Sequence, residues 1–361
     1  MKIVHVETGR SFYGGPQQVI WLIRGLNDRG IDSVLVCPPD SRISAIARQE
    51  GVNVANIPCG GDADFLFAFR LARFLRQEPA DLLHCHSRRG ADFPGGWAAI
   101  IARKPAVLTR RVDSFESPTA SAIRYAPFRR VVAISDNVEN VLRRSRVRER
   151  KLAKIRSAVD VGALTTDADR SILEREFDIG PKAFAIAVVA QLIRRKGHRF
   201  LLDVLPGLLA EHPGIKAVFF GEGSGEAQLK ALASKLGLSG AVRFAGFRDD
   251  LDQYLSAFDL LVHPAEQEAL GVAMLKASAV GLPVIAFDIP GSSEAVDHAR
   301  TGILVPPGDF SELQKAIGVL VEEPDIGVEL GAAGRQRMRD DFSVDAMVES
   351  YLSLYEDVLN A

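Results

Sequence analysis

Cysteine is scarce in this chain: Cys37, Cys59 and Cys85 are the only three among 361 residues, scattered and odd in number. That argues against a disulfide framework and a cysteine-built zinc site, and it predicts a reducing, cytoplasmic compartment. Long apolar runs are missing as well. The longest, Phe184 to about Ile193, is roughly half of the ~20 residues a helix needs to span a bilayer, so no transmembrane helix is expected. The opening Met1-Lys2-Ile3-Val4-His5-Val6-Glu7 has no signal-peptide apolar region before it meets charge. Short-period repeats and low-complexity tracts are absent, and the net charge is only −2.

What is present is an ordinary globular composition, 47% hydrophobic and 25% charged. The length is too great for one ordinary core, so two domains are expected. Short apolar runs alternate with amphipathic stretches in both halves, as in parallel sheets covered by helices. In the first half the expected strands are Lys2–Val6, Ser33–Cys37, Asp81–His86, Ala106–Thr109 and Val131–Ile134. Helices are expected from about Val19 to Leu26 and over Ile43–Glu50, Leu66–Gln77 and Val138–Arg144, the last capped by Asp136. The stretch 160–178 is polar and mixed. This places an N-terminal domain at 1–165 and a C-terminal one at 166–343. The latter has strands at Phe184–Val189, Lys216–Phe220, Val242–Ala245, Leu260–His263 and Val284–Phe287. A final amphipathic helix over 344–361 is expected to pack back on the first domain.

The small net charge hides an asymmetry. Residues 1–160 hold 26 Lys and Arg against 16 Asp and Glu, and the remainder holds 18 against 30. Such a split suggests an anionic partner for the first half.

Several loops after strands carry chemistry. Gly14-Gly15 precedes a helix, where backbone can approach a ligand and free amides attract an anion, although a Gly-Gly pair is also an ordinary turn. Gly221-Glu222-Gly223-Ser224-Gly225 also follows a strand. It lies mid-chain and lacks the third glycine of a dinucleotide fingerprint, which argues against a dehydrogenase. Arg194-Arg195-Lys196-Gly197 is a cationic loop at the carboxyl edge of a sheet, suited to a diphosphate or simply a solvated turn. Glu266 to Gly271 leads into a helix whose first amides, near Leu270 to Val272, can receive a phosphate. Glu268 is too near that helix start to lie in the core. Its carboxylate suits sugar hydroxyls or the helix dipole.

These residues, in this order, resemble the retaining family 4 glycosyltransferases of GT-B fold. The resemblance covers nearly the whole chain and is strongest from Val188 to Asp309. It is carried by Val189-Ala190-Gln191-Leu192 through Lys196-Gly197-His198, by Val242 to Phe247, by His263-Pro264-Ala265 through Glu268 and Gly271, by Gly281 to Ala286 and by Thr301 to Asp309. It implies an α/β protein of two Rossmann-like, doubly wound parallel-sheet domains facing across a cleft. It implies a metal-independent enzyme without cofactor that moves a sugar from a nucleoside-diphosphate sugar, UDP-sugars first, to a glycan or lipid-linked hydroxyl. Cell-envelope polysaccharide or lipopolysaccharide assembly is the implied setting.

The resemblance assigns Arg195, Lys196, Leu270 and Gly271 to the donor diphosphate. Gly14, Gly15, Glu268 and Lys276 fall to the donor sugar and ribose, and Gly221 and Phe247 to the base. Glu268, His86 and Arg111 take catalytic positions, with His84, Arg88 and Arg110 on the acceptor side. There are departures. Lys276 stands where the second glutamate of E-x7-E falls, and is expected to reach a phosphate or Glu268. Gln191 stands near the usual phosphate-binding arginine, for which Arg194 or Arg195 compensates. Arg111 occupies the place of a frequent histidine, for which His84 or His86 can supply the imidazole. Ser157-Ala158-Val159-Asp160 replaces Asn-Gly-Val-Asp.

Lys276 and Arg111 motivate an alternative, a catalytically weakened nucleotide-sugar- or glycan-binding protein. A further alternative is another sugar-nucleotide enzyme such as an epimerase. The cations between Arg110 and Arg156, interleaved with Ile123, Tyr125 and Phe128, suggest peripheral docking on an anionic membrane surface, the cytoplasmic face of the inner membrane. No nucleic-acid-binding module is present.

Overall fold

The computed structural model describes residues 1–360 apart from Ser11, Tyr13 and Ser87. It describes the backbone, but not the side chains, of Arg88 and Arg89. The chain divides into two units, Met1–Ala158 with Val344–Ala361, and Val159–Ser343.

The first unit is built on a parallel sheet of β1 (Lys2–Val6), β2 (Asp32–Cys37), β3 (Asn53–Asn56), β4 (Leu82–Cys85), β5 (Ala106–Arg110), β6 (Arg130–Ala133) and β7 (Leu152–Lys154). Its spatial order is β3-β2-β1-β4-β5-β6-β7. The chain winds outward from β1 in one direction and returns to the other side with β4, so the strand order reverses between β1 and β4. In open α/β sheets, ligands bind outside the carboxyl ends of the strands at such a reversal. Buried, β-branched strands such as Lys2–Val6 form because helices cover both faces and leave no polar side to satisfy.

The second unit repeats the plan with β8 (Phe184–Val189), β9 (Ile215–Phe220), β10 (Val242–Gly246), β11 (Leu260–His263), β12 (Val284–Phe287) and β13 (Ile303–Val305). The order is β10-β9-β8-β11-β12-β13, with the reversal between β8 and β11. Its core gathers Ile186, Val188, Leu201, Leu205, Phe219, Val262 and Ile285 beneath the flanking helices.

The final helix, Val344–Asn360, belongs to the first unit. Met347, Val348, Tyr351, Leu354, Tyr355 and Val358 recur at helical spacing and pack on Ile3, Leu22, Leu26, Leu82, Val107 and Val132. The neighbouring helix Gly14–Asp28 comes so close that a Cβ on Gly25 would lie 2.5 Å from Val348. Arg29 forks onto Asp345 at 3.0 Å and Glu349 at 2.6 Å, closing the exposed rim.

Three details differ from the sequence reading. Ser135, not Asp136, caps helix Asp136–Arg144: its hydroxyl accepts from the Val138 amide. Asp136 sits in the first turn, where its charge favours the helix dipole. Tyr125 and Phe128 are 3% and 1% exposed and belong to the core, so of the aromatic and aliphatic residues expected on a basic surface only Ile123 is outward. Many of the basic residues there are also engaged: Arg124 pairs with Asp92 and Glu116, Arg143 with Glu139 and Glu149.

Candidate functional site

In the second unit, the loops leaving β8 and β11 meet at the strand-order reversal. The first makes a tight turn over Arg194–Lys196 and ends at Gly197. The second runs from Pro264 to Gly271, the N-cap of helix Val272–Ala279. No side chain caps that helix among the described residues, so its first amides remain available to an anion. The two loops are tied by the Glu266 amide donating to the Arg195 carbonyl at 2.9 Å.

Between them lies a compact ionic cluster. Glu268 Oε2 accepts from Lys196 Nζ at 2.5 Å and from His263 Nε2 at 2.8 Å. Glu268 Oε1 accepts from the Ala269 amide at 3.1 Å. The Glu268 and Lys196 side chains are each 11% exposed, so the carboxylate is sunk further than its place at a helix start suggests. Burial by itself would raise the Glu268 pKa. The His263 hydrogen bond and the charges of His263 and Lys196 outweigh it and hold the carboxyl well below its usual range. Glu268 is therefore an ionised acceptor near pH 7, oriented by Lys196, His263 and the Ala269 amide. Lys196 uses one of its three donors on Glu268 and keeps two for another anion.

Gly197 makes the turn possible. Its φ is +69°, and a Cβ there would lie 1.8 Å from the Pro264 carbonyl oxygen, in the loop that carries Glu268. Gly197→Ala is expected to lower stability by roughly 3 kcal/mol and to part the two loops, since neither backbone can yield without moving the other. Urea unfolding checks it. A midpoint equal to that of the parent protein would refute the account.

The other expected donor residues lie around the same sheet edge. Arg195 reaches the Gln267 carbonyl at 3.5 Å and is otherwise exposed. Leu270 is buried, 1% exposed, behind Gly271. The Gly221 amide donates to the Gly246 carbonyl at 2.7 Å, which brings Gly221 beside half-buried Phe247. Lys276, against expectation, is not joined to Glu268: its ammonium donates to Asp252 Oδ2 at 2.6 Å. Asp252, 24 residues away in sequence, escaped the sequence reading because no local pattern links it to Lys276.

In the first unit a second polar cluster sits at the reversal between β1 and β4. His5, His84 and His86 are 0–1% exposed. His5 Nδ1 and His86 Nε2 are 2.9 Å apart, while His84 bonds Tyr355 Oη at 2.6 Å and Thr109 Oγ1 at 2.7 Å. Burial pushes His5 down to about 3. Burial, then neighbouring His5 and Arg111, push His84 well down, and burial with His84, His5 and Arg111 does the same to His86. All three are neutral near pH 7. Their ring nitrogens lie within 4.8 Å of one another, a spacing a metal could use. Both nitrogens of His84 are already engaged, and the Arg111 charge lies in range. The arrangement is therefore a hydrogen-bonded stack locked by helix Val344–Asn360. His5 and Tyr355, and Tyr351, whose Oη lies 2.8 Å from Thr109 Oγ1, were not read as site residues from the sequence.

Arg111 lies beside this stack. Its Nη1 reaches Ser157 Oγ at 3.4 Å, while Nε and Nη2 are buried without a hydrogen-bond partner among the described residues. A Cβ on Gly15 would be 3.4 Å from Arg111 Cδ, so Gly15, in the first turn of helix Gly14–Asp28, packs against the Arg111 side chain. Arg110 is buried, 4% exposed, and braces its own loop through Val112, Ser114 and Glu116. The Arg88 side chain lies outside the described residues.

Comparison with known proteins bears on the family and the fold. The family described as Glycosyltransferase Family 4 matches residues 13–162, and that described as Glycosyl transferases group 1 matches residues 169–337. The chain is 25% identical over 361 residues to the lipopolysaccharide core biosynthesis glycosyltransferase LpsE of Rhizobium meliloti, covering 98% of each. It is 25% identical over 312 residues to the 2-deoxystreptamine glucosyltransferase of Streptomyces kanamyceticus, covering 79% of each. Among solved structures, Anabaena Alr3699/HepE in complex with UDP-glucose superposes with a TM-score of 0.89 at 22% identity, over 99% of this chain and 100% of that one.

Proposed function

Because the chain belongs to the family 4 glycosyltransferases of GT-B fold, we propose that it is a retaining enzyme moving a sugar from a nucleoside-diphosphate sugar to a hydroxyl of a glycan or lipid-linked acceptor. The observation that carries this reading is the Lys196–Glu268–His263 cluster beside an uncapped helix start, at the sheet reversal of the second unit. The donor diphosphate lies against Lys196, Arg195 and the amides from Gly271 onward. The ionised Glu268 accepts hydrogen bonds from hydroxyls of the donor sugar, and the base rests near Gly221 and Phe247.

In the reaction, the bond between the anomeric carbon and the diphosphate oxygen breaks as the acceptor oxygen attacks from the same face. The acceptor proton passes to the departing diphosphate. The charge that develops on this leaving group is met by cations and helix amides already in place, which is where preorganised electrostatics contribute most. No metal is required by this scheme. The similarity to a lipopolysaccharide core enzyme supports an acceptor in cell-envelope assembly, and the near-absence of cysteine supports a cytoplasmic site of action.

The test is a thermal-shift panel of UDP-, GDP-, ADP- and CMP-sugars, without added metal. One nucleotide class is expected to raise the melting temperature by mass action, at 100 times its Kd by about 2.7 kcal/mol of stability, with UDP-sugars first. No shift from any of them would sink the donor assignment. Lys276, paired with Asp252, and the buried Arg111 favour a second reading, a binding protein with weakened catalysis. Tight donor binding without any release of nucleoside diphosphate would support it.

A further inference from the structure

We propose that the outward face of helices Phe65–Gln77 and Phe93–Ala102 docks on an anionic lipid bilayer. Both helices already bury one face in the first unit: Phe67, Ala68, Leu71, Ala72 and Leu75 from the first, Ala98, Ala99 and Ala102 from the second. Each then presents a second apolar stripe that is exposed among the described residues. Phe65, Leu66 and Phe69 are 63%, 66% and 61% exposed, and Trp97 and Ile100 are 40% and 48% exposed. The two stripes are continuous. The Phe65 and Phe93 rings are 6.4 Å apart, and so are those of Phe93 and Trp97. Arg76 ties the helix ends together by donating to the Ile101 carbonyl at 2.6 Å.

Within the two helical segments the charges have one sign. Residues 65–77 hold Arg70, Arg73 and Arg76 and no acid, and residues 93–109 hold Arg103 and Lys104 and no acid. Flanking carboxylates are engaged: Asp64 pairs with Arg70 at 2.7 Å, Glu78 with Lys2 at 2.9 Å, and Asp92, 2% exposed, with Arg124 at 2.8 Å. A contiguous exposed apolar patch marks an interaction surface, and its chemistry selects the partner. A second copy docking about a two-fold axis would set the same patch against itself, bringing Arg73 and Arg103 towards their own copies with no acid to meet them. An anionic bilayer offers what the patch lacks: lipid phosphates for the cations, and an apolar boundary layer into which Phe, Leu and Trp insert. This surface differs from the Arg110–Arg156 segment, where Tyr125 and Phe128 face the core.

The test uses the full chain and flotation with vesicles of phosphatidylcholine alone or with about 30% phosphatidylglycerol, at about 0.1 M and 0.5 M salt. Binding is expected to be at least about tenfold stronger to the anionic vesicles at low salt and to weaken at high salt. Trp97 emission is expected to shift to the blue on binding, and W97F to remove the shift. The triple variant F65S/L66S/F69S, checked for an unchanged melting temperature, is expected to bind at least about tenfold more weakly. R73E is expected to lose mainly the salt-sensitive part. Equal binding by the parent and triple variant, or no binding to anionic vesicles, would overturn the proposal. So would a dimer in light scattering that the triple variant converts to monomer. Because vesicle binding is read without a donor or an acceptor, the result stands apart from the success of the transfer reaction.

Discussion

Glu268→Ala is expected to lower sugar transfer by about 10²- to 10³-fold, the loss seen when one preorganised electrostatic partner is removed from a reacting centre. The argument starts from ionisation. A carboxylate held well below its usual range by His263 and Lys196 carries no proton to deliver near pH 7. Its contribution is orientation and charge. Removing it frees Lys196 to collapse onto the diphosphate or swing to solvent, and it leaves the sugar hydroxyls without their fixed acceptor. Glu268→Gln separates these effects. The amide keeps the shape but loses the charge, and it turns donors towards His263. Its transfer rate is expected to lie between those of the parent and the alanine variant, with the same pH profile as the parent from about pH 5 upward. Lys196→Ala is expected to follow the same direction. Near-parent transfer in folded Glu268→Ala, verified by circular dichroism, would remove Glu268 from the site.

Much of the fold is readable in the sequence because parallel strands covered on both faces become short, almost wholly apolar runs. Lys2–Val6 and Phe184–Val189 stand in the structure with the bounds those runs suggest. What escapes is informative. β3, Asn53–Asn56, is an edge strand with half-exposed residues, so its apolar signal is weak. Helix Phe93–Ala102 opens with Pro94, Gly95 and Gly96, which read as a loop. In the fold those glycines serve packing: a Cβ on Gly95 would lie 2.9 Å from Cys85 Sγ, and one on Gly96 3.0 Å from Phe128 and Pro127. Tertiary contact has overridden local propensity.

The site shows the same division. Lys196 and Glu268 stand out because a cation and an acid immediately follow buried strands. His263 is hidden because it ends a buried strand, where a histidine gives no pattern of its own. Asp252 and the His5–His84–His86 stack depend on pairings between residues distant in sequence, which only the topology brings together.

The stack carries the second large prediction, a loss of stability in the first unit as pH falls from about 6.5 towards 4. His5 in the folded protein is pushed to about 3, and His84 and His86 lie well below their ordinary value. In the unfolded chain each returns to about 6.5. Between those limits the unfolded state binds protons that the native state refuses, so unfolding becomes more favourable with every step towards acid. Each such histidine contributes a slope of about 1.4 kcal/mol per pH unit. Asp92 opposes one of them: burial raises it to about 6, so between its ordinary range and that value the folded state binds the extra proton. The net slope is expected to approach that of two protons, about 3 kcal/mol per pH unit below pH 6. Trp21 and Trp97, the only two tryptophans, both lie in the first unit, so tryptophan emission during urea unfolding follows this unit alone. The midpoint is expected to fall steeply from pH 6.5 to 4.5. In His5→Gln, which removes one titrating group, the slope is expected to ease by about 1.4 kcal/mol per pH unit. A midpoint that holds constant across this range would show that the stack accepts protons without opening, contrary to its burial.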